Sequence, residues 1–370
     1  MTTSINLIAG GDVMLGEHPA MVGRGTASRL VGDPDFDPFA HLKHGLQGAD
    51  LAVANLECAL SDWPRFCSPS QRECRGPEAA VRRLVDSGFH GFTVANNHIQ
   101  QHGEDAVRHT VDLLTDAGLA VIGLAGDDPG TCRPVDVPVK GRTVRLLGYS
   151  LRPRQGFTGT PLYAEGTREG MLADIRQSRG AGVSVVVSIH WGDEFVHAPS
   201  REQVELGQAM IDAGCDLVLG HHPHVLQGWQ THGAGAVLYS LGNLIFDMPW
   251  QSSLRRSALA SCRLDEEGCS EVIWQPLLLD ADHCPRPATG EDERWIREFL
   301  TEARRHLEAG EGSWAATAEA EYLERLRRAA AEERWTRNRY FLKNLHRYRP
   351  DVSGQLIGKF LLRRLGLLHD

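Results

Sequence analysis

The chain has 370 residues, of which 42% are hydrophobic and 24% are charged, with a formal net charge of −9. This is the composition of a globular protein with ample length to bury a core, and the negative charge argues against a general nucleic-acid binder. The charge is unevenly spread: residues 321–370 hold 12 Lys/Arg against 6 Asp/Glu, so the first 320 residues carry −15. That asymmetry indicates an appended segment with its own surface role.

The cysteines and the N-terminus exclude several classes of protein. Eight cysteines without a CxxC pair form neither a disulfide scaffold nor a zinc ribbon. Cys58, Cys67 and Cys74 share one loop, where a redox or metal role competes with plain inert thiols. The chain has no signal-peptide pattern and no apolar stretch of the roughly 18 residues that a membrane span needs. We therefore expect a cytoplasmic protein without a transmembrane segment.

Short apolar runs alternate with glycine-rich or amphipathic stretches over the first 280 residues. Each run is rich in β-branched residues or leucine and lacks alternation, which is typical of strands buried on both faces. The runs are 5–9, 51–54, 91–95, 144–147, 183–189, 217–219 and 236–239. Helical patterns at 77–86, 103–117 and 200–213 lie between them, so we predict a layered α/β fold.

The pattern changes after about residue 285. Segments 291–309 and 317–334 are rich in Ala, Glu, Arg and Leu and predict helices, and shorter helices are expected at 340–348 and 355–368. We therefore predict a catalytic domain over 1–284 and a helical extension over 285–370. The extension can join copies of the chain, and its basic, leucine-rich end has a weaker alternative as an anionic-membrane surface helix.

Residues of the metal-ligand type follow five of the predicted strands. They are Asp12, Glu57, Asn97 with His98, His190, and His222 with His224. Because ligand sites in α/β sheets lie beyond the carboxyl ends of strands, we expect these side chains to meet. Each one alone has an ordinary explanation, such as a helix cap or a surface carboxylate, and only their joint position favours a site.

The chemistry of this set favours a transition metal. Carboxylate and amide oxygens together with imidazoles suit Mn²⁺, Fe or Zn²⁺ better than Ca²⁺ or a thiolate cluster. A carboxylate can bridge two ions, and a two-metal site serves displacements at phosphoryl and acyl centres. Pro223, between His222 and His224, predicts an extended or turn geometry, and Gly220 permits a tight turn out of the preceding strand.

Six ordered motifs carry a resemblance to a known family. They are GGDVMLG (10–16), ANLECALS (54–61), VANNHIQQHG (94–103), SIHWGDEF (188–195), GHHPHVLQG (220–228) and YSLGNLIFD (239–247). They resemble the CapA capsule-biosynthesis family, implicated in poly-γ-glutamate synthesis, of the calcineurin-like metallophosphoesterase superfamily. The resemblance implies a four-layer α/β/β/α sandwich with a two-metal site and, here, a C-terminal helical extension.

The resemblance also implies roles for individual residues. One metal is expected on Asp12, Glu57 and His224, while Glu57 bridges to a second metal that is also held by three further residues. These three are Asn97, His190 and His222. His98 is expected to protonate a leaving group or to steady developing charge. Two further residues are expected near the site: Asn243, and Glu194, which binds substrate or orients a ligand.

Two positions depart from the family pattern. Met14 stands where the superfamily usually has a histidine, so the first metal site is expected to be the weaker one. Gln101 stands where the family usually has an aspartate, which changes the charge beside His98 and hence its basicity. Separately, Arg65, Arg72 and Arg75 form a loop that binds a carboxylate or phosphate, or is merely solvated.

The predicted function is that of a metal-dependent hydrolase or transferase with one or two divalent ions. Its substrate is expected to be a phosphate ester or a γ-glutamyl or peptide-like amide, and a biosynthetic enzyme acting on a small molecule fits best. The alternative is a non-catalytic accessory or scaffold protein of poly-γ-glutamate capsule synthesis, with the basic helical tail as its partner-binding element. The residues leave open which bond is cleaved or formed, and the oligomeric state.

Overall fold

The computed structural model describes residues 4–62, 68–309, 319–348 and 350–364. The strands in these ranges are β1 (Ile5–Val13), β2 (Leu51–Leu56), β3 (Ala59–Leu60), β4 (Arg75–Gly76), β5 (Gly91–Thr93), β6 (Ala120–Ile122), β7 (Val135–Val139), β8 (Arg142–Ser150), β9 (Val183–His190), β10 (Leu217–His221), β11 (Trp229–His232), β12 (Gly235–Leu238), β13 (Asn243–Ile245), β14 (Arg256–Leu264), β15 (Cys269–Leu279) and β16 (Pro285–Pro287). The helices are α1 (Thr26–Gly32), α2 (Val81–Asp86), α3 (Glu104–Asp116), α4 (Arg168–Ser178), α5 (Arg201–Asp212), α6 (Gly290–Ala309), α7 (Glu319–Asn344) and α8 (Pro350–Arg364).

The first large sheet combines parallel and antiparallel strands. Its order is β16-β15-β14-β1-β2-β5-β6, and β13 pairs with the end of β1. β1, β2, β5 and β6 run parallel, whereas β14, β15 and β16 pair in antiparallel fashion. Asp12 at the end of β1 stands opposite Asn55 of β2 and Asn243 of β13. This register brings polar residues from three strands to one edge of the sheet.

The second large sheet has a parallel centre with antiparallel edges. Its order is β11-β12-β10-β9-β8-β7, with β8, β9, β10 and β12 parallel to one another. His190 at the end of β9 stands opposite His221 of β10 and Ser150 of β8. The carboxyl ends of these three strands are therefore aligned, and the loops that follow them leave the sheet side by side.

Three apolar layers hold four layers of secondary structure together. Side chains of β1, β2, β8 and β12 fill the space between the two sheets. Helices α2 and α3 cover the outer face of the first sheet, and α4 and α5 cover that of the second. This is an α/β/β/α sandwich, so the predicted four-layer fold is confirmed. All seven predicted apolar runs lie within or overlap strands, because strands covered on both faces need no polar alternation.

The helices agree with the sequence patterns in part. Ser200 and Gln203 form a reciprocal capping box at the start of α5, which explains the predicted helix over 200–213. The predicted break between 334 and 340 is wrong, because α7 continues from Glu319 to Asn344 without a glycine or proline to interrupt it. The patterns did not reveal α1, α4 or the β14–β15 hairpin.

The first elements after residue 284 pack directly on the two sheets. Strand β16 pairs with β15, and α6 packs on β11, β14 and β15. Ile296 and Leu300 of α6 belong to the apolar layer between the sheets. The domain boundary at 284 remains a prediction, and these contacts suggest that residues 285–309 depend on the sheets for their fold. None of the described helices is long and apolar enough to cross a membrane.

Candidate metal centre

The polar side chains expected at strand ends converge where the carboxyl edges of the two sheets meet. Asp12 and Glu57 come from the first sheet, His190 ends β9, and the His222–His224 loop follows β10. Six of the seven predicted ligand and acid residues are buried, with relative exposures of 0–2%, and His98 is the exception. The cluster therefore lies between the sheets, with His98 at its partly exposed side.

One group of possible ligands consists of Asp12, Glu57 and His224. One ligand atom of each lies within 4.8 Å of the others. His224 Nε2 lies 3.8 Å from Glu57 Oε1, while Nδ1 of the same ring lies 3.0 Å from Asn243 Oδ1. When Nδ1 donates to Asn243, the Nε2 lone pair of His224 faces the carboxylates, which is the form that binds a metal.

The second group shares Glu57 and adds His190 and His222, again within 4.8 Å. Three side chains surround His190 Nε2: Asn97 Oδ1 at 2.8 Å, His222 Nδ1 at 3.1 Å and Glu57 Oε1 at 3.6 Å. This convergence of imidazole and carboxylate ligand atoms would suit a bound metal ion. Glu57 is the residue common to both groups.

The polar atoms of Glu57 provide the test of whether a metal fits. Both carboxylate oxygens are buried and have no hydrogen-bond partner within the described part of the chain, and the same holds for His222 Nε2. Burial and the nearby charges of Asp12 and Glu194 raise the pKa of Glu57 well above its ordinary value. A buried carboxylate without a partner is costly, and a divalent cation between the two groups removes that cost. The residues present therefore fit a metal.

The histidines of the cluster are poised in the neutral form. Burial lowers the pKa of His190 and of His222 well below the ordinary value, and the nearby histidines, together with Arg152 for His222, further disfavour a protonated ring. Neutral imidazole is the form that binds metals, so these rings need not lose a proton near neutral pH.

The loop after β10 departs from the predicted geometry at its glycine. Gly220 lies within β10, not in a turn. A Cβ there would stand 2.0 Å from the carbonyl oxygen of Tyr239, so the close approach of the Tyr239 backbone requires glycine at this position. The positive φ angles fall on His222 (+96°) and His224 (+58°) instead. Such angles are uncommon for histidine, and they bring the two ring centroids to 5.8 Å from each other.

Asp12 is held by residues of the sequence motifs for which no role was predicted. Asn55 Nδ2 donates to Asp12 Oδ1 at 2.9 Å, and His221 Nδ1 lies 3.1 Å from the same oxygen. Asn96 in turn donates to Asn55 Oδ1 at 3.1 Å. Burial acts to raise the pKa of Asp12, but His221, His224 and Asn55 outweigh it, and the pKa is lowered. Asp12 is therefore held as a carboxylate.

His98 lies beside the cluster and is more exposed than the ligand set, with 17% of its side chain accessible. Its Nδ1 lies 2.8 Å from Gln101 Oε1, and its Nε2 lies 4.0 Å from Glu57 Oε1. Burial lowers the pKa of His98, and the hydrogen bond to Gln101 opposes this without reversing it. Gln101 thus orients the ring as the expected aspartate would, but without a negative charge.

Two further charged residues lie near the cluster. Glu194 forms a third group of possible ligands with His222 and His224, and its expected role in binding substrate or orienting a ligand remains a prediction. Arg152 lies two residues after the end of β8. No role was predicted for it, because the surrounding sequence SLRPR (150–154) resembles no site motif. Its positive charge nevertheless reaches His222 and lowers the pKa of that ring.

The arginine loop contacts other parts of the protein. Arg72 donates to Ser28 Oγ at 2.8 Å and lies 3.4 Å from Glu17, and Arg75 Nε donates to Ser61 Oγ at 2.9 Å. A substrate-binding role for Arg72 and Arg75 remains a prediction. Arg65, and with it Cys67, lies outside the described residues.

Cys58, Cys74 and Met14 are core residues. Burial raises the pKa of Cys58 to about 12 and also raises the pKa of Cys74, which agrees with inert thiols. The Met14 side chain is fully buried in the apolar layer between the first sheet and its helices, so this position contributes packing and no ligand.

A family profile described as "Bacterial capsule synthesis protein PGA_cap" matches residues 6–248. The chain belongs to this capsule synthesis family. The matched range contains every residue of the candidate metal centre and ends ahead of α6, α7 and α8. The predicted family resemblance is therefore confirmed.

Relatives within the capsule synthesis family are moderately similar. The chain is 29% identical to "Capsule biosynthesis protein CapA" of Bacillus anthracis over 289 residues, which covers 75% of this chain and 68% of the relative. It is 26% identical to "PGA biosynthesis protein CapA" of Bacillus subtilis over 272 residues, covering 72% and 70%. A "Probable polyglutamine synthesis accessory protein" of Mycobacterium tuberculosis is 26% identical over 280 residues, covering 70% and 73%.

Solved structures resemble the chain more distantly. A hypothetical protein from Thermus thermophilus aligns with a TM-score of 0.46 at 14% identity, covering 74% of this chain and 98% of the other. A protein titled a novel phosphatase, from Mycoplasma pneumoniae, aligns with a TM-score of 0.45 at 14% identity, covering 80% and 98%.

Proposed function

We propose that this capsule synthesis family member is a metal-dependent hydrolase or transferase that uses one or two divalent ions. The observation that carries the proposal is Glu57, whose two buried oxygens lack a hydrogen-bond partner among the described residues and face two groups of histidine and carboxylate ligands. A site with this many buried ligand atoms is expensive to maintain unless a cation occupies it.

Two sets of residues would hold the ions. Asp12, Glu57 and His224 would form one, and Glu57 would also join the second set of Asn97, His190 and His222. The mixture of oxygen and nitrogen donors favours Mn, Fe or Zn. When bound, such ions polarise a phosphoryl or acyl oxygen and make water a usable nucleophile near neutral pH.

The remaining chemistry belongs to the protein's own side chains. His98 can exchange a proton at Nε2, because Gln101 occupies Nδ1 and fixes the ring orientation. Asn243 holds His224 by Nδ1, which keeps Nε2 toward the site. Glu194 lies beside His222 and His224, where it can bind substrate or complete a ligand set.

The proposed substrate is a phosphate ester or a γ-glutamyl or peptide-like amide. The names of the Bacillus relatives, which refer to capsule and PGA biosynthesis, support the amide, and a metal clamp serves either bond. A small molecule acted on in the cytoplasm is the variant we favour, and cell fractionation would test the location.

The experiment combines metal analysis with activity. Purified protein is analysed for metals and assayed in parallel with phosphate esters and γ-glutamyl amides, before and after chelation. We expect His98→Asn to lose roughly 10²- to 10⁴-fold in kcat with unchanged metal content, because only the proton transfer is removed. His102→Asn is the matched control, since His102 Nε2 contacts the backbone carbonyl of Glu73, outside the cluster. Activity that survives both chelation and His98→Asn would contradict the enzyme hypothesis.

A second candidate is a non-catalytic accessory protein of poly-γ-glutamate synthesis. The mycobacterial relative is named an accessory protein, and α7 exposes Trp335 (59%) and Leu342 (67%), which suit a protein partner or a second copy. Sedimentation of wild type against Trp335→Ser would test whether this surface joins copies of the chain. Under this hypothesis, metal removal would lower stability but change no turnover.

A further inference from the structure

Arg152 lies at the rim of the candidate metal centre. The backbone N–H of Leu151 donates to the carbonyl of His190 at 2.9 Å, which ties the end of β8 to the end of β9. The Arg152 guanidinium donates to the carbonyl of Gly192 and lies 3.4 Å from Asp193 Oδ1. Both acceptors are in the loop that carries Glu194, so Arg152 stands at the edge of the third ligand group.

The guanidinium of Arg152 is only partly used by the protein. Its Nε is buried and has no hydrogen-bond partner within the described ranges, while 27% of the side chain remains accessible. The contact with Asp193 is long at 3.4 Å and is not a bidentate pair. Both hydrogen bonds to the described residues use Nη1, so the accessible part of the guanidinium retains donors for another planar or tetrahedral anion.

The charge of Arg152 is unusual beside a cation site. A fixed positive charge next to metal ions is repelled by them unless an anion lies between. Arg152 is held against the loop that carries Glu194, a member of the third ligand group. A substrate oxygen anion shared between the ions and Arg152 would turn this repulsion into attraction.

A residue of helix α7 holds Asp193, the carboxylate that would compete with a bound anion for the Arg152 guanidinium. The hydroxyl of Tyr322 donates to Asp193 Oδ2 at 3.0 Å, whereas Arg152 faces the other oxygen, Oδ1. Without this hydroxyl, Oδ2 of Asp193 would lose the protein donor that holds it, and the carboxylate could rotate toward Arg152. Tyr322 belongs to the extension, beyond the range that the family profile matches.

We propose that Arg152 binds an anionic oxygen group of the substrate, a phosphate or a carboxylate, at the rim of the metal centre, and that Tyr322 keeps it available by holding Asp193. This inference rests on the proposed function, to which it adds a substrate class: a small molecule with an anionic group next to the reacting bond. Arg152 is a binding residue, and Tyr322 is a positioning residue.

Calorimetric titration of the full-length, Mn²⁺-loaded protein with orthophosphate and with glutarate tests the proposal. We expect Arg152→Gln to weaken binding of one of these anions by roughly 10- to 100-fold, since charge-assisted hydrogen bonds to the group are lost. Arg152→Lys should lie between, because it keeps the charge and loses the fork. The anion whose affinity changes identifies the source, phosphate or carboxylate.

Arg154→Gln is the matched control, because Arg154 is in the same loop but pairs through two nitrogens with Glu165 and donates to Gly159. It should leave both affinities unchanged. Equal affinities in wild type and Arg152→Gln, or no binding of either anion to wild type, would overturn the proposal. Thermal unfolding of each variant shows whether it is folded. If Arg152→Gln is unfolded, the anion affinity of Arg152→Lys tests the proposal in its place.

Tyr322→Phe tests the positioning role separately. We expect a several-fold weaker anion affinity without a change in metal content, while Tyr340→Phe, on the same helix and packed against Trp250, should have no effect. An effect of Arg152→Gln without one of Tyr322→Phe would overturn the positioning role alone. The Mn²⁺-loaded protein separates this inference from the proposed function: Arg152-dependent anion binding without turnover of phosphate esters or γ-glutamyl amides would support the first and contradict the second. Turnover with a KM that Arg152→Gln leaves unchanged would support the proposed function and contradict this inference.

Discussion

Glu57 is the carboxylate on which both halves of the candidate site depend. It lies beside His224 in one group and His190 in the other, and its two buried oxygens have no hydrogen-bond partner in the described chain. Asp12 belongs to the first group only, where Asn55 and His221 already engage one of its oxygens. Loss of Glu57 should therefore damage more of the site than loss of Asp12.

Metal content should separate these two residues. We expect Glu57→Gln to lose nearly all bound metal, because both groups lose a charged ligand, whereas Asp12→Asn should keep about one ion per chain. Elemental analysis after gel filtration measures the ratio. The wild type should bind fewer than two ions when metal is limiting, because Met14 adds no ligand to the first group. Two tightly held ions in Glu57→Gln would contradict the bridging role.

His283 gives a prediction about stability that does not involve the site. It is 5% exposed, and burial lowers its pKa from 6.5 to about 4, although Asp280 and Asp282 oppose the shift. The unfolded chain therefore binds a proton on this group before the folded chain does. Its contribution to stability is present above pH 6.5, falls as the pH drops toward 4, and totals about 3 kcal/mol.

Replacement of His283 should remove that part of the pH dependence. His283→Asn suits the positive φ of +63° at this position and does not titrate. Urea unfolding from pH 7 to pH 4 should show a shallower loss of stability in the variant than in wild type, whatever constant offset the substitution adds. Parallel curves for the two proteins would show that His283 does not contribute.

At the level of elements, the site depends on a close approach of two chain segments. A Cβ on Gly11 would stand 1.9 Å from the carbonyl oxygen of Gly242, which itself accepts the backbone N–H of Asp12 at 2.9 Å. This contact joins β1 to the turn before β13, and it places Asn243 opposite Asp12. A side chain at Gly11 must push these segments apart.

Gly11→Ala should destabilise the protein by about 3 kcal/mol and lower its metal content. The physical reason is a backbone clash that no rotamer relieves, next to a ligand residue. Gly32→Ala is the matched control, because nothing lies within 4 Å of a Cβ there and alanine favours the helix α1. Thermal unfolding and metal analysis of both variants provide the comparison, and an unchanged Gly11→Ala would contradict the close approach.

At the level of the whole molecule, the C-terminal helices connect loops that surround the site. Tyr322 of α7 reaches the loop after β9, and the Tyr340 ring lies 6.1 Å from that of Trp250. Gln355 of α8 donates to Glu73 at 3.3 Å, and the Tyr348 hydroxyl donates to the carbonyl of Ala20 at 2.7 Å. The extension therefore links loops of the first sheet to a loop of the second.

Truncations should divide the last 86 residues into two parts. A chain ending at 284 lacks Ile296, Leu300 and Leu307 of α6, each worth roughly 1.5–3 kcal/mol of burial, and should unfold or aggregate. A chain ending at 309 keeps α6 and should fold, with weaker anion binding because Tyr322 is gone. Circular dichroism during heating distinguishes the two. A stable chain ending at 284 would instead support the predicted domain boundary.

The sequence by itself determined the layered α/β fold and the order of its buried strands, because burial on both faces leaves an apolar run that needs no distant partner to be recognised. It also placed Asp12, Glu57, Asn97 and the histidines at strand ends, where parallel register must bring them to one edge. The continuity of α7 was missed, since its polar surface gives no clear periodicity.

Only the tertiary structure decided which atoms face one another. Two sheets had to pack face to face before Glu57 of the first met His190 of the second. The contacts of Arg152 and Tyr322 with Asp193 join segments far apart in sequence, and neither Arg152 nor Tyr322 stands in a recognisable motif. Local patterns report burial and backbone preference, whereas the neighbours of a side chain depend on how distant segments pack, and no local pattern encodes that.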